Sequence, residues 1–262
     1  MTNPRLADAD AREVRFKFIR GMVDQIDQIA LSYFDQRSEL NLTAKSRRDF
    51  VTEADKAVEQ KIRDTILQAF PDDHLVGEEF GGEDTDNYWL IDPIDGTSNF
   101  LSGLPIWAIS IAYIENGHPV IGAVSLPVLK RQFFGCKDIG LFERDTFRVA
   151  KPNSALVFGI GRNDNWDYGK YLKSEEVVKD LNLYSVCFGS CAASLAFCSA
   201  GELAGYIEGS IGFWDCAAGI ALCEAANLEV AYENNLGPAN SSVCVGNSTA
   251  LNDLSGLFSS GC

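Results

Sequence analysis

The sequence predicts a layered α/β protein, and three observations carry that prediction. Apolar residues recur at helical spacing near the N-terminus. β-rich runs then follow one another as a meander. From about residue 156 onward, short strand and helix patterns alternate.

Over residues 9–35, Val14, Phe18, Met22, Ile26, Ile29, Ala30 and Tyr33 recur with helical period, which predicts a long amphipathic helix. Residues 43–52 are polar and read as a loop or short hairpin. A second helix is predicted over 52–70, with Thr52 as N-cap, Asp55 three residues on in an approximate capping box, and Pro71 as its stop. Residues 74–77 form a short strand leading into Glu78 and Glu79. The apolar run Trp89, Leu90, Ile91 reads as a buried strand that ends at Asp92-Pro93-Ile94-Asp95-Gly96. Pro93 fixes its φ and lacks an N–H, and Gly96 permits angles that other residues avoid, so this turn is stiff. It presents Asp92 and Asp95 at the strand end, with Thr97 or Ser98 capping a following helix. Residues 106–114 and 120–126 flank Glu115-Asn-Gly-His-Pro119 as a hairpin, and 132–136 and 140–149 extend the meander.

A change in composition near Lys151-Pro152-Asn153 separates an N-terminal α+β part, 1–150, from a C-terminal α/β part, 151–262. Together they are expected to form one functional unit. In the second part, strands are predicted at 156–160, 184–188, 206–208, 228–231 and 243–245. Helices are predicted at 174–181, 191–200, 213–226 and 251–258. Residues 163–169 read as an exposed loop.

A hydrophobic content of 46% in 262 residues is ample for a large core. The net charge of −15 argues against binding to nucleic acid or an anionic membrane. It leaves room for an anionic substrate, because a bound divalent cation inverts the local sign. The N-terminus is charged and lacks a signal-peptide core, and no apolar run is long enough to span a bilayer, so a cytoplasmic protein is expected. The eight cysteines form no C-x-x-C pair. Cys191 and Cys198, like Cys216 and Cys223, have helical spacing and read as buried small hydrophobes in a reducing compartment. His74 and His118 are the only histidines, which excludes a multi-histidine metal centre.

The chemistry therefore falls to carboxylates. Glu78, Asp92, Asp95 and Asp215 come from separated segments, and all are hard oxygen ligands with no Cys or His beside them. Such a set suits Mg²⁺, with Mn²⁺ as a substitute, and not Zn²⁺. Read singly, Asp92-Pro-Ile-Asp95 is a solvated turn, Glu79 a surface acid, Asp49 a helix-start acid and Asp215 an N-cap.

Together, Asp92-Pro-Ile-Asp-Gly-Thr-Ser-Asn-Phe100, Gly77-Glu-Glu79, Asp49-Phe-Val-Thr-Glu-Ala-Asp55 and Trp214-Asp-Cys-Ala-Ala-Gly219 resemble the signatures of the inositol monophosphatase family, the magnesium-dependent, lithium-sensitive phosphatases. The resemblance implies a sugar-phosphatase fold of alternating helix and sheet layers, a small phosphate monoester as substrate and a homodimer. It implies two or three Mg²⁺ ions held by Glu78, Asp92, the carbonyl of Ile94, Asp95 and Asp215. Gly96 and Thr97 would hold the phosphate, and Glu78 with Thr97, oriented by Asp49, would activate the attacking water. Substrate contacts would come from Asp95, from Gly189-Ser190-Cys191 and from Glu208. Inositol monophosphate is the first expected substrate, with histidinol phosphate or another small sugar or nucleotide phosphate as the alternative. Many relatives carry Arg where this chain has Val186, which weakens the case for myo-inositol 1-phosphate itself. The rival from another class is a non-catalytic regulatory partner that kept the fold.

Overall fold

The computed structural model describes residues 4–37, 44–83, 85–148, 155–235 and 240–258; in the first two helices side chains are described from residues 11 and 53 onward. Helix α1 spans Pro4–Gln36 and α2 spans Ala44–Ala69. The second helix thus starts well before the predicted Thr52, and the predicted hairpin over 43–52 is helical from Ala44. That stretch lacks Gly and Pro and contains Ala, Lys and Arg, so its polarity marks a charged segment and not a break. The buried stripe of α2 is Ala54, Val58, Ile62 and Ile66, four residues apart. It packs with Phe16, Ile19, Val23 and Ile26 of α1.

These helices cover one face of a seven-stranded sheet. Its strands are β1 (His74–Gly77), β2 (Asn87–Asp95), β3 (Ala108–Glu115), β4 (His118–Leu126), β5 (Arg131–Cys136), β6 (Gly140–Glu143) and β7 (Thr146–Arg148), in sequential order. β1 and β2 run parallel and the other neighbours antiparallel. The β3–β4 connection is Asn116-Gly117, both at positive φ (50° and 77°), as a tight hairpin requires. Trp89, Ile91, Ile109 and Ile111 face α1 and α2, whereas Leu90, Ala112, Ile114 and Val124 face a second helical layer. Burial on both faces explains why β2 reads as a continuous apolar run.

That second layer is α5 (Cys191–Ser199) and α6 (Phe213–Ala225). Their small residues set the spacing. A Cβ on Gly122 would lie 2.2 Å from the Ala218 carbonyl oxygen, and one on Gly219 would lie 2.4 Å from the Leu195 Cβ. Beneath lies a five-stranded sheet of β11 (Glu229–Glu233), β12 (Ser241–Gly246), β10 (Tyr206–Ile211), β8 (Val157–Ile160) and β9 (Tyr184–Val186), in that order. Its outer face packs Phe158, Ile160, Ile207 and Cys244 against α4 (Tyr168–Asp180) and α7 (Ser248–Leu254). Helix and sheet layers therefore alternate as expected. α4 and α7 begin earlier than predicted because Asp167 and Asn247 cap them, accepting from the N–H of Lys170 and Ala250.

Candidate functional site: a buried carboxylate cluster

Residues three apart on an unbroken strand point to opposite faces. Asp92 and Asp95 do not, because Asp92 pairs with Ser110 and Asp95 with Ala108, which are two apart. One extra residue is inserted at Pro93–Ile94, a bulge where a residue without an N–H costs the ladder nothing. The strand therefore continues past Asp92 instead of stopping there, and both carboxylates face the α5–α6 layer. Asp215 stands in the first turn of α6, which is tied to β3 by the bond from Ser110 Oγ to the Trp214 carbonyl, 3.0 Å. Ligand oxygens of Asp92, Asp95 and Asp215 all lie within 4.8 Å of one another.

Asp92 is fully buried, and burial together with Glu78, Asp95 and Asp215 pushes its carboxyl well above the usual range. Burial, then Asp95 and Glu78, does the same to Asp215. Asp95 is pushed up to about 7 by burial, an effect opposed by bonds from Ser190 Oγ (2.5 Å) and the Ala192 N–H (2.7 Å) at the start of α5. At an effective dielectric near 20, two charges this close repel by about 3.5 kcal/mol. Asp215 is not the N-cap of its helix, as its position had suggested. Gly212 holds that place, and Asp215 reaches back to accept from the Gly212 N–H at 2.9 Å.

Glu78 follows β1, its N–H on the Ile91 carbonyl at 3.1 Å. It is open to solvent by surface area. Protein packed around its carboxyl nevertheless raises its pKa, it lies within hydrogen-bonding reach of Asp92, and Glu79 and Glu59 add to the rise. Glu59, fully buried, accepts from Arg63 Nε and from the Glu79 N–H and so shapes this turn. A Cβ on Gly77 would lie 2.0 Å from Glu59 Oε1, so a larger residue there would displace the Glu59 carboxylate. The Ile94 N–H donates to Asp92 Oδ1 at 3.0 Å, and the Ile94 carbonyl accepts from Thr97 Oγ1 at 3.2 Å. Neither Thr97 nor Ser98 caps α3 (Thr97–Ser102). Gly96 does, at φ 90°, where a Cβ would also meet the Gly189 carbonyl. The side chain of Asp49 lies outside the described residues, so its pairing with Thr97 stays an expectation.

On the other side of the cluster, Asp95, Gly189, Ser190, Cys191, Glu208 and Asp215 line a cavity of about 170 Å³. Two wider clefts, of about 410 and 450 Å³, lie away from these carboxylates, so chemistry and not size locates the site. Ser190 has a structural job beside the expected substrate contact, which stays an expectation. Its hydroxyl donates to Asp95 and accepts from the Ala193 N–H, capping α5. Glu208 is buried, accepting from Tyr206 Oη and from Asn163 Nδ2 (3.0 Å) while burial raises its pKa.

The sequence reading missed two residues here. Asn163 lies in the 163–169 segment that reads as an exposed loop, yet it also donates to the Gly209 carbonyl and anchors that loop, with Trp166 buried behind it. Asp55 was read as helix-start chemistry. It is buried beside Glu78, and burial and Glu78 push its carboxyl up to about 8. Its place one residue after Ala54 on the 54–58–62–66 stripe was the available signal.

The cluster fits a divalent cation. Its donors are hard oxygens, and no basic side chain forms an ion pair with Asp92, Asp95 or Asp215 among the described residues. The mutual repulsion that raises their pKa values is what such a cation would relieve.

The profile of the inositol monophosphatase family matches residues 12–254. The chain belongs to that family. It is 32% identical over 192 residues to the fructose-1,6-bisphosphatase/inositol-1-monophosphatase of Aquifex aeolicus, covering 69% of this chain and 71% of the other. It is 40% identical over 141 residues to the histidinol-phosphatase of Mycobacterium tuberculosis, covering 53% of each. Among solved structures, the extragenic suppressor protein suhB of Bartonella henselae superposes with a TM-score of 0.75 at 26% identity, covering 89% of this chain and 94% of that one.

Proposed function

We propose that the chain is a magnesium-dependent phosphomonoesterase acting on small polyol and sugar phosphates, with inositol monophosphate the first substrate and histidinol phosphate the second. One observation carries the reading: three carboxylates, paired with no basic side chain among the described residues, meet within 4.8 Å beside a polyol-sized cavity in a chain of this family. Glu78, Asp92, Asp95, Asp215 and the Ile94 carbonyl are the proposed ligands. Mg²⁺ held there supplies positive charge to the phosphoryl oxygens and acidifies water.

The chain's own residues do the rest. Gly96 and Thr97 place the phosphate through their backbone N–H groups. Glu78, at the solvent-open rim, takes the proton of the attacking water, with Thr97 orienting that water and Asp49 orienting Thr97. Glu208, held by Asn163 and Tyr206, accepts a hydroxyl of the leaving alcohol. The retained carboxylate set argues against a purely regulatory role.

The test is phosphate release from myo-inositol 1-phosphate and histidinol phosphate, side by side, with Mg²⁺ and with EDTA. Mg²⁺-dependent turnover supports the reading, and the better substrate sets the branch. Absence of turnover together with absence of Mg²⁺ binding overturns it.

A further inference from the structure

We propose that Arg162 selects substrates whose leaving alcohol carries a second anionic group, a phosphate or a carboxylate. The inference rests on the hydrolase reading above, keeps its chemistry, and ranks phosphate esters that carry a second anion ahead of the inositol and histidinol phosphates named there. Beside the catalytic cavity lies a second recess of about 190 Å³, and the two share Arg162 and Asn163 as their common wall. Asp164, Trp166, Tyr168 and Tyr171 complete the recess.

The backbone on either side of the exposed Arg162 is pinned. The Gly161 N–H donates to the Ile207 carbonyl at 2.8 Å, and Asn163 Oδ1 accepts from the N–H groups of Asn165 and Trp166, both at 2.9 Å. Tyr168 and Tyr171 stack with centroids 5.9 Å apart and planes 13° from parallel. The Arg162 guanidinium lies 5.9 and 5.8 Å from their centroids. Contacts of this kind use the flat face of a guanidinium and leave its N–H edge for a bidentate acceptor.

The donors around the cavity show why that edge matters. Asn163 Nδ2 is committed to Glu208 and Gly209, Ser190 Oγ to Asp95, Tyr206 Oη to Glu208 and Tyr171 Oη to Glu175. Arg162 forms no ion pair among the described residues, although Asp164 lines the same recess. A neutral polyol facing Glu208 needs no cation. An anion at the far end of a cavity walled by Asp95, Glu208 and Asp215 does need one, and Arg162 is the cation on that wall. This places the positive charge on the loop after β8, whereas many relatives are expected to carry theirs at the position of Val186.

The test compares matched substrates in the Mg²⁺-loaded full chain: fructose 1,6-bisphosphate against fructose 1-phosphate, and 6-phosphogluconate against glucose 6-phosphate. The first pair reads a second phosphate and the second pair a carboxylate. Wild-type protein is expected to favour the doubly charged member of at least one pair about tenfold or more in kcat/KM, through KM. Arg162→Gln should bring that ratio close to one, and Arg162→Lys should leave it intermediate because a point charge lacks the fork. Turnover without such a preference, or a preference that survives Arg162→Gln, overturns the assignment and leaves the hydrolase reading standing. Hydrolysis of no phosphate monoester overturns both.

Discussion

Removing divalent metal should make this protein's stability fall as pH rises across the neutral range. In the metal-free chain burial pushes the Asp95 carboxyl up to about 7, against an ordinary 3.8. Between those values the folded chain keeps a proton that the unfolded chain has lost. Linkage then fixes the sign: the contribution is fully present below about pH 4 and is lost progressively as pH climbs towards 7. At 1.36 kcal/mol per pH unit the loss is about 4 kcal/mol, a large share of a typical total stability. Asp55, pushed up to about 8, extends the decline in the same direction. The two belong to one acidic network through Glu78, so their contributions do not simply add. The assay is urea unfolding in EDTA at about pH 5 and about pH 8, repeated with excess Mg²⁺. The metal-free midpoint should drop at the higher pH, and Mg²⁺ should restore it, because a ligand that binds only the folded state stabilises that state. Asp95→Asn cannot titrate yet keeps an acceptor for the Ala192 N–H, so it should make the EDTA profile shallower, leaving the part carried by Asp55 and its neighbours. Metal-free stability that is equal or greater at about pH 8, or a decline untouched by Mg²⁺, would refute the argument.

Other substitutions probe separate links. Asp215→Asn should stabilise the metal-free protein in alkali by up to about 3 kcal/mol while cutting Mg²⁺-dependent turnover severely, read by thermal melts and phosphate release. Asn163→Ala should raise KM for the phosphate ester several-fold, because Glu208 and the 163–166 turn both lose their anchor; unchanged KM values would separate that loop from the site. Gly122→Ala places a methyl 2.2 Å from the Ala218 carbonyl and should lower stability by about 2 kcal/mol or more, measured by denaturant unfolding.

Where sequence and structure agree, the reason is local chemistry. The Asn116-Gly117 hairpin was legible because few other residue pairs tolerate two successive positive φ values. The carboxylates of Asp92 and Asp95 were legible as a pair, but the device that joins them was not. A bulge is a relation between two strands, and only the partner register of Ser110 and Ala108 reveals it. Helix starts failed for a different reason. A polar stretch such as 44–52 carries no apolar period to extend the prediction, although its residues are good helix formers. The roles of Ser190 and Asn163 are hard to read from sequence because short polar side chains at caps and turns serve structure and site at once. Which they serve depends on neighbours 95 and 45 residues away in the chain.

The layered architecture also explains why a cluster so costly to assemble persists. Asp95 lies over the start of α5 and takes its N–H groups, and Asp215 takes the N–H before α6, so each carboxylate is offset by a helix terminus. That support is partial, since the pKa values still rise. The residual repulsion is relieved by retained protons in the metal-free chain and by a cation where metal is bound. The same backbone groups that fix the carboxylates also prevent them from swinging apart when it leaves. Metal affinity and metal-free instability therefore share one origin. A variant that relaxes the repulsion, as Asp215→Asn would, should gain stability in EDTA in step with its loss of Mg²⁺ affinity, measurable by calorimetric titration on the same protein. Independent movement of the two quantities would show that the ligands are not held by the fold in this way.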